Sequence, residues 1–342
     1  MSIRDVVLTR RSLLLILLAV AVAVFVVEML ALSPRVLEWH PWDYGNYVEM
    51  GRAVREGQNP YGADRYYPLP TILWVFVPLS LMPDWFKIIW ALFPFVFLLL
   101  LFGYRGVFPF FYPPFWFVVT DAMLDGWLLF PIAWLFANRS ILAGVGAAFL
   151  LFKPHVTVFV VAYMTLRWII THDWKNLGAF FAMLCALWLP SFIVNPLWLL
   201  QMLGAVQGLG TLANYAALLP MLTSSIWGWW WRGGLAQVGC LALLCIAIML
   251  FWRAFRYDPN RAPAIQLTAL LLNPMMLAAN LITVLPTLRT RNQIIAVTVV
   301  SLGAYMLDAL IGPFGGGYAL IPLAALYFQT HDQFTNPLAN QP

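Results

Sequence analysis

HPWDYGNYVEMGRAVREGQNPYGADRYYP, residues 40–68, is a polar island between two apolar runs. Arg35, Glu38, Asp43, Glu49, Arg52, Arg55, Glu56, Asp64 and Arg65 crowd into or beside it, in a chain with only 19 basic and 14 acidic residues. Such density in an oily sequence marks either a solvated loop or a working surface. The 342-residue chain as a whole is 63% hydrophobic and 10% charged, with mean hydropathy +0.82. A soluble domain carries about 45–50% apolar and about 25% charged residues. The departure points to an all-α polytopic membrane protein, with residues 1–342 as a single integral membrane domain.

A crossing helix needs about 20 apolar residues. Candidate spans fall near 12–32, 68–82, 85–103, 107–122, 126–138, 140–170, 177–194, 233–252, 263–273, 275–288, 293–311 and 317–330. That gives a bundle of about 10–12 transmembrane helices. Several candidates are short, as expected of half-spans buried against protein. Arg4, Arg10 and Arg11 precede the first run, which is too long for the core of a signal peptide, so it reads as an uncleaved span.

Orientation follows from the basic residues. With both termini cytoplasmic, most of the 19 Lys and Arg residues fall inside, Lys87, Arg167, Arg261 and Arg289 among them. The island, within the first outer loop at 33–67, then faces outward and breaks the bias with Arg35, Arg52, Arg55 and Arg65. Asp121 and Asp125 fall near the inner side, which favours a structural or loop role. A second outer segment, 195–232, is too polar for a span and too apolar for a free loop; its Trp227, Trp229, Trp230 and Trp231 suit the membrane interface. The tail at 331–342 is polar and reads as disordered. Cys185, Cys240 and Cys245 sit in apolar runs without metal spacing, and a net charge of +5 spread over span ends is no nucleic-acid signature.

Within the island a helix is expected from Tyr44 to Glu56, with Asp43 as N-cap and Gly57 as stop. Tyr44, Tyr47, Val48, Gly51 and Val54 make an apolar stripe; Glu49, Arg52, Arg55 and Glu56 face away. Such a helix should lie flat on the outer surface. Lys153 stands inside a span, where a charge costs about 2.5–3.5 kcal/mol on insertion scales. It reads either as functional or as a side chain reaching from a half-span toward the interface.

Asp43, Tyr47, the turn Gly57-x-Asn59-Pro60-Tyr61 and the pair Tyr67-Pro68 follow one another in the island. This order resembles the first outer loop of glycosyltransferase family 87, GT-C-fold enzymes that take a sugar from a polyprenyl phosphate. AGVGAAFLLFKPHVTVFVVAYMTLRW, residues 143–168, resembles that family's Gly-rich helix, Lys-Pro and closing Arg-Trp. The Asn273-Pro274 break is a weaker match. Where many members carry an aromatic and a histidine after that break, this chain reads NPMMLAANL, with Asn280 as the nearest polar group.

The resemblance implies transfer of a hexose, mannose among the candidates, to a lipid or glycan acceptor on the outer face of the cell membrane. It implies Asp43 as general base, a role that stands beside its reading as a helix cap. It implies Arg52, Arg65, Lys153 and His155 as the groups that meet phosphate charge, against a bland reading of both arginines as solvated or headgroup-facing. Tyr44, Tyr47, Tyr61, Tyr67 and Asn280 complete the substrate-binding set, with the membrane interface as the alternative for Tyr44, Tyr61 and Tyr67. The polyprenyl-phosphate sugar is a substrate, no cofactor is implied, and a divalent metal is left open. Two other classes compete: a lipid or sugar transporter or flippase, and a catalytically inactive GT-C-like scaffold.

Overall fold

The computed structural model describes residues 41–61, 69–102, 111–138, 141–208, 224–230, 232–257, 260–273, 276–311 and 315–335. All regular structure among them is helical. The expected first span at 12–32, Arg65, Tyr67 and Trp231 lie outside the described residues.

In chain order the helices are α1 (Trp42–Arg55), α2 (Leu73–Leu79), α3 (Phe86–Phe102), α4 (Pro113–Thr120), α5 (Leu129–Ala137), α6 (Ile141–Leu150) and α7 (Pro154–Ile170). Then come α8 (Trp174–Val194), α9 (Trp198–Gly208), α10 (Trp227–Trp230), α11 (Leu235–Tyr257), α12 (Ala262–Leu272), α13 (Arg291–Ile311) and α14 (Leu320–Thr335). Tighter 3₁₀ segments occupy Pro70–Ile72, Leu124–Leu128, Ala278–Thr287 and Gly315–Ala319. Proline opens α4, α7 and α12 within their first two positions, where its missing N–H costs nothing.

Among the described residues, α8 and the Leu235–Arg256 part of α11 are long and apolar enough to cross a membrane. The pair Pro113–Thr120 and Leu124–Ala137 passes only as one span bent by 117°. Other apolar helices run 10–17 residues, the half-span length expected of several segments. In α8 and α11 just 17% of the apolar window is buried by protein. Leu235 is 91% exposed and Ile193 73%. Two long apolar helices that turn their greasy faces outward fit a lipid environment better than water.

Two apolar clusters organise the interior. One joins α1, α2, α4, α12, α14 and the 3₁₀ run Ala278–Thr287. The other is built by α5, α6, α7 and α8. Gly144 permits the second: a Cβ there would overlap the Asn176 backbone of α8.

Three expectations change. The candidate span 140–170 is two helices, because Pro154 disfavours helical geometry at Lys153, which sits at φ −124°, ψ 72° between them. Helix α1 begins at Trp42 with Pro41 in the cap position, so Asp43 lies inside the first turn rather than capping it. The tail from His331 to Thr335 continues α14 instead of being irregular. Gly57 does stop α1, at φ +70°.

Candidate active site

Four elements deliver polar side chains to one buried place. The first is α1, whose expected stripe is the buried one: Tyr44, Tyr47, Gly51 and Val54 face inward, while Glu49, Arg52, Arg55 and Glu56 are exposed. One helical turn separates Asp43 from Tyr47, and the Tyr47 hydroxyl donates to Asp43 Oδ2 at 3.1 Å. The same hydroxyl accepts the Leu124 backbone N–H at 3.3 Å. Tyr47 thus ties α1 to the second element, the bend between α4 and α5. Its ring stacks on Phe76 of α2, with centroids 4.5 Å apart.

That bend turns at Ala122, which adopts φ +50°. A left-handed alanine is uncommon and needs support from its surroundings. Trp90 of α3 supplies some, donating from Nε1 to the Ala122 carbonyl at 3.0 Å. Beyond the bend Asp125 is fully buried.

The third element is the break between α6 and α7. Lys153 stands there, 5% exposed, and its Nζ forms an ion pair with Asp125 Oδ2. The fourth is the 3₁₀ run Ala278–Thr287, from which Asn280 Nδ2 donates to Asp125 Oδ1 at 2.7 Å. Both Asp125 oxygens are therefore satisfied, as a buried carboxylate requires. The Asn280 side-chain oxygen accepts the Leu277 N–H at 2.9 Å, which fixes the amide's orientation.

Asp43 faces this network. Burial pushes its carboxyl up from an ordinary 3.8 to about 6; the Lys153 cation pulls it down, Asp125 pushes it up, the Tyr47 hydrogen bond lowers it, and Asp121 raises it. Asp121 and Asp125 therefore belong to the same end of the molecule as Asp43, not to the opposite one. Their expected place is the side opposite Asp43, and they depart from it because the α4–α5 pair bends back instead of crossing and returning. The structural role expected of Asp125 is the one it has, holding Lys153. The start of α3, with Lys87, also lies beside α1: Tyr44 meets Trp90 edge-on at 6.4 Å, and the Asp84 carboxylate acts on the Tyr44 hydroxyl. Lys87, expected on the face opposite Asp43, pairs with Asp84 at 2.7 Å on this side.

Of the residues singled out in the sequence, the structure brings together Asp43, Tyr47, Lys153 and Asn280. His155 is one residue past the Pro154 helix start and is electrostatically linked to Lys153 and Asp125. Its backbone carbonyl accepts a hydrogen bond from Asn273 Nδ2, so the two helix breaks meet. Tyr44 and Tyr61 are buried in the first apolar cluster, a packing role rather than an open stacking face. Arg52 points away, exposed on the outer side of α1. Among the described residues no group of three or more His, Cys, Asp or Glu side chains is placed to hold a metal ion. Asp125, expected in a structural or loop role away from Asp43, is instead central to the cluster; a carboxylate in the apolar run LDGWLLF is the sequence signal for it.

An apolar groove of about 450 Å³ opens beside the cluster. Val158 and Phe159 of α7 and Ile265, Ala269 and Leu272 of α12 line it, and His155 and Asn273 close one end. No family model, curated protein or solved structure matches the chain.

Proposed function

We propose that the chain is a membrane glycosyltransferase of the GT-C type, built on a bundle of about 10–12 spans. It moves a hexose from a polyprenyl-phosphate sugar to a lipid or glycan acceptor on the outer face of the membrane. The observation that carries this reading is Asp43: a buried carboxylate, oriented by Tyr47, whose pKa of about 6 suits a base working near neutrality. In the step, an acceptor hydroxyl oxygen bonds to the anomeric carbon. The carbon–oxygen bond to phosphate breaks with its electron pair left on the phosphate. Asp43 takes the hydroxyl proton. Lys153 supplies the positive charge nearest the cluster, shared between Asp125 and Asp43, and Asp125 with Asn280 holds it in place. The groove running from His155 between α7 and α12 suits the donor's prenyl chain. Arg52, exposed on the far side of α1, is not needed in this scheme.

The test uses membranes holding the wild type or Asp43→Asn, radiolabelled polyprenyl-phosphate hexoses, and a total lipid and glycan extract as acceptor. Transfer by the wild type, lowered about 10²–10⁴-fold in the folded variant, is the expected result. Equal transfer by both removes Asp43 as base.

One observation favours a second reading. Two helix breaks, at Lys153 and at Asn273, meet beside a buried ion pair. Discontinuous helices around buried charge also build transporter sites. Movement of a labelled lipid-linked sugar across vesicles, with no covalent product, separates that reading from the first.

A further inference from the structure

A second cavity lies at the other end of the α7–α12 pair. It holds about 290 Å³ and is lined by Tyr163, Leu166, Arg167, Ile170 and Arg261. Its walls are apolar and outward-facing, with Leu166 and Ile170 both exposed. Its floor is cationic. Arg167 Nη1 is buried with no hydrogen-bond partner among the described residues. The Arg261 guanidinium sits 4.3 Å over the Phe255 ring, which orients it without neutralising it. The nearest acidic residue in sequence to Arg167 is Asp173, which already accepts from the Asn176 backbone and side-chain nitrogens as the cap of α8.

A buried guanidinium nitrogen without a partner calls for an acceptor that no described residue provides. Two guanidinium groups in one cavity match a phosphate, which arginine grips through paired N–H donors. The apolar walls beside them match acyl chains. We infer that this cavity binds an anionic phospholipid, with its phosphate between Arg167 and Arg261 and its chains along Leu166 and Ile170. The site lies twelve residues along α7 from His155, apart from the Asp43 cluster, and does not depend on the transferase reading.

The full chain in detergent is titrated with dioleoyl-phosphatidylglycerol, dioleoyl-phosphatidylcholine and inorganic phosphate, with retained lipid read by native mass spectrometry. The two guanidinium charges should give a preference of roughly thirtyfold for phosphatidylglycerol over phosphatidylcholine. The double variant Arg167→Gln/Arg261→Gln should lose that preference. Equal retention of both lipids by the wild type overturns the inference, as does an unchanged preference in the variant. Displacement of phosphatidylglycerol by millimolar phosphate assigns the cavity to the free anion and overturns the lipid. Should the variant not fold, a photoreactive phosphatidylglycerol on the wild type decides. Adducts within 154–170 or 261–272 support the site, and adducts confined elsewhere remove it.

Discussion

Ionising Asp43 means placing a negative charge in a buried position, next to a second carboxylate and only partly offset by Lys153. Its pKa in the folded protein, about 6, lies above the ordinary 3.8. The folded state therefore binds the proton more tightly than the unfolded one. The stabilising effect of that proton is complete below 3.8 and is lost as pH rises through about 6. At pH 8 the ionised group destabilises the fold by at most about 3 kcal/mol. Asp43→Asn keeps an oxygen for the Tyr47 hydroxyl and removes the charge. The variant should melt above the wild type at pH 8, with the gap closing toward pH 4, while its transfer activity is lowered about 10²–10⁴-fold. Thermal unfolding in detergent across that range checks it; a variant less stable than wild type at pH 8 shows that Asp43 is held by attraction, not strain. Activity of the wild type should fall as pH drops through about 6.

Helix α1 reaches the cluster because Gly51 lets its backbone meet that of α2. A Cβ on Gly51 would overlap the Phe76 carbonyl, whereas one on Gly45, in the same helix, would meet nothing within 4 Å. The two glycines thus predict opposite outcomes. Gly45→Ala should stabilise by about 0.5–1 kcal/mol, through helix propensity alone. Gly51→Ala should cost about 1–3 kcal/mol by overpacking. It should also lower transfer, because Tyr47 and Asp43 ride on the displaced helix. Unfolding and activity measured on the pair separate propensity from packing; equal effects would mean the α1–α2 approach does not matter. The inward stripe of α1 was legible in the sequence, since helical periodicity needs only local spacing. The stop of α1 was legible in Gly57, whereas 140–170 was expected as one span although Pro154 disfavours helix at Lys153. Asp43 was misread as a cap because Pro41 holds that position and the carboxylate turns to Tyr47 instead. Asp125 was misplaced for a different reason. Counting each apolar run as a crossing put it on the side opposite Asp43, and no local pattern announces that the pair Pro113–Thr120 and Leu124–Ala137 bends back by 117°.

Among the described residues, the buried carboxylates and the cavity-lining arginines sit at two different ends. Helix α7 spans about 25 Å at 1.5 Å per residue. Lys153 and His155 mark its cluster end, and Arg167 marks the other. Helix α12 runs back alongside it, with Arg261 in the cavity with Arg167 and Asn273 bonded to the His155 carbonyl. The 3₁₀ run Ala278–Thr287 makes the same passage, from Asn280 at the cluster to a cavity that Thr287 lines with Asn260 and Arg289. Asp43, Asp121 and Asp125 therefore gather at one end, and Arg167, Arg261 and Arg289 at the other. Basic residues mark the cytoplasmic ends of spans. Arg52, Arg55 and Lys87 stand against that bias, the two arginines on α1 with Glu49 in the helix and Glu56 at its cap, and Lys87 paired with Asp84. The expected orientation puts the Asp43 cluster outward and the arginine end in the cytoplasm. In a background with Cys185, Cys240 and Cys245 replaced by alanine, Glu56→Cys and Lys175→Cys report the two ends, since both positions are exposed. An impermeant maleimide should label Glu56→Cys in intact cells and Lys175→Cys only in inverted vesicles. Labelling of both from one side would mean that the pair α7 and α12 lies along the membrane and does not cross it, and the outer-face placement of the cluster would fall with it.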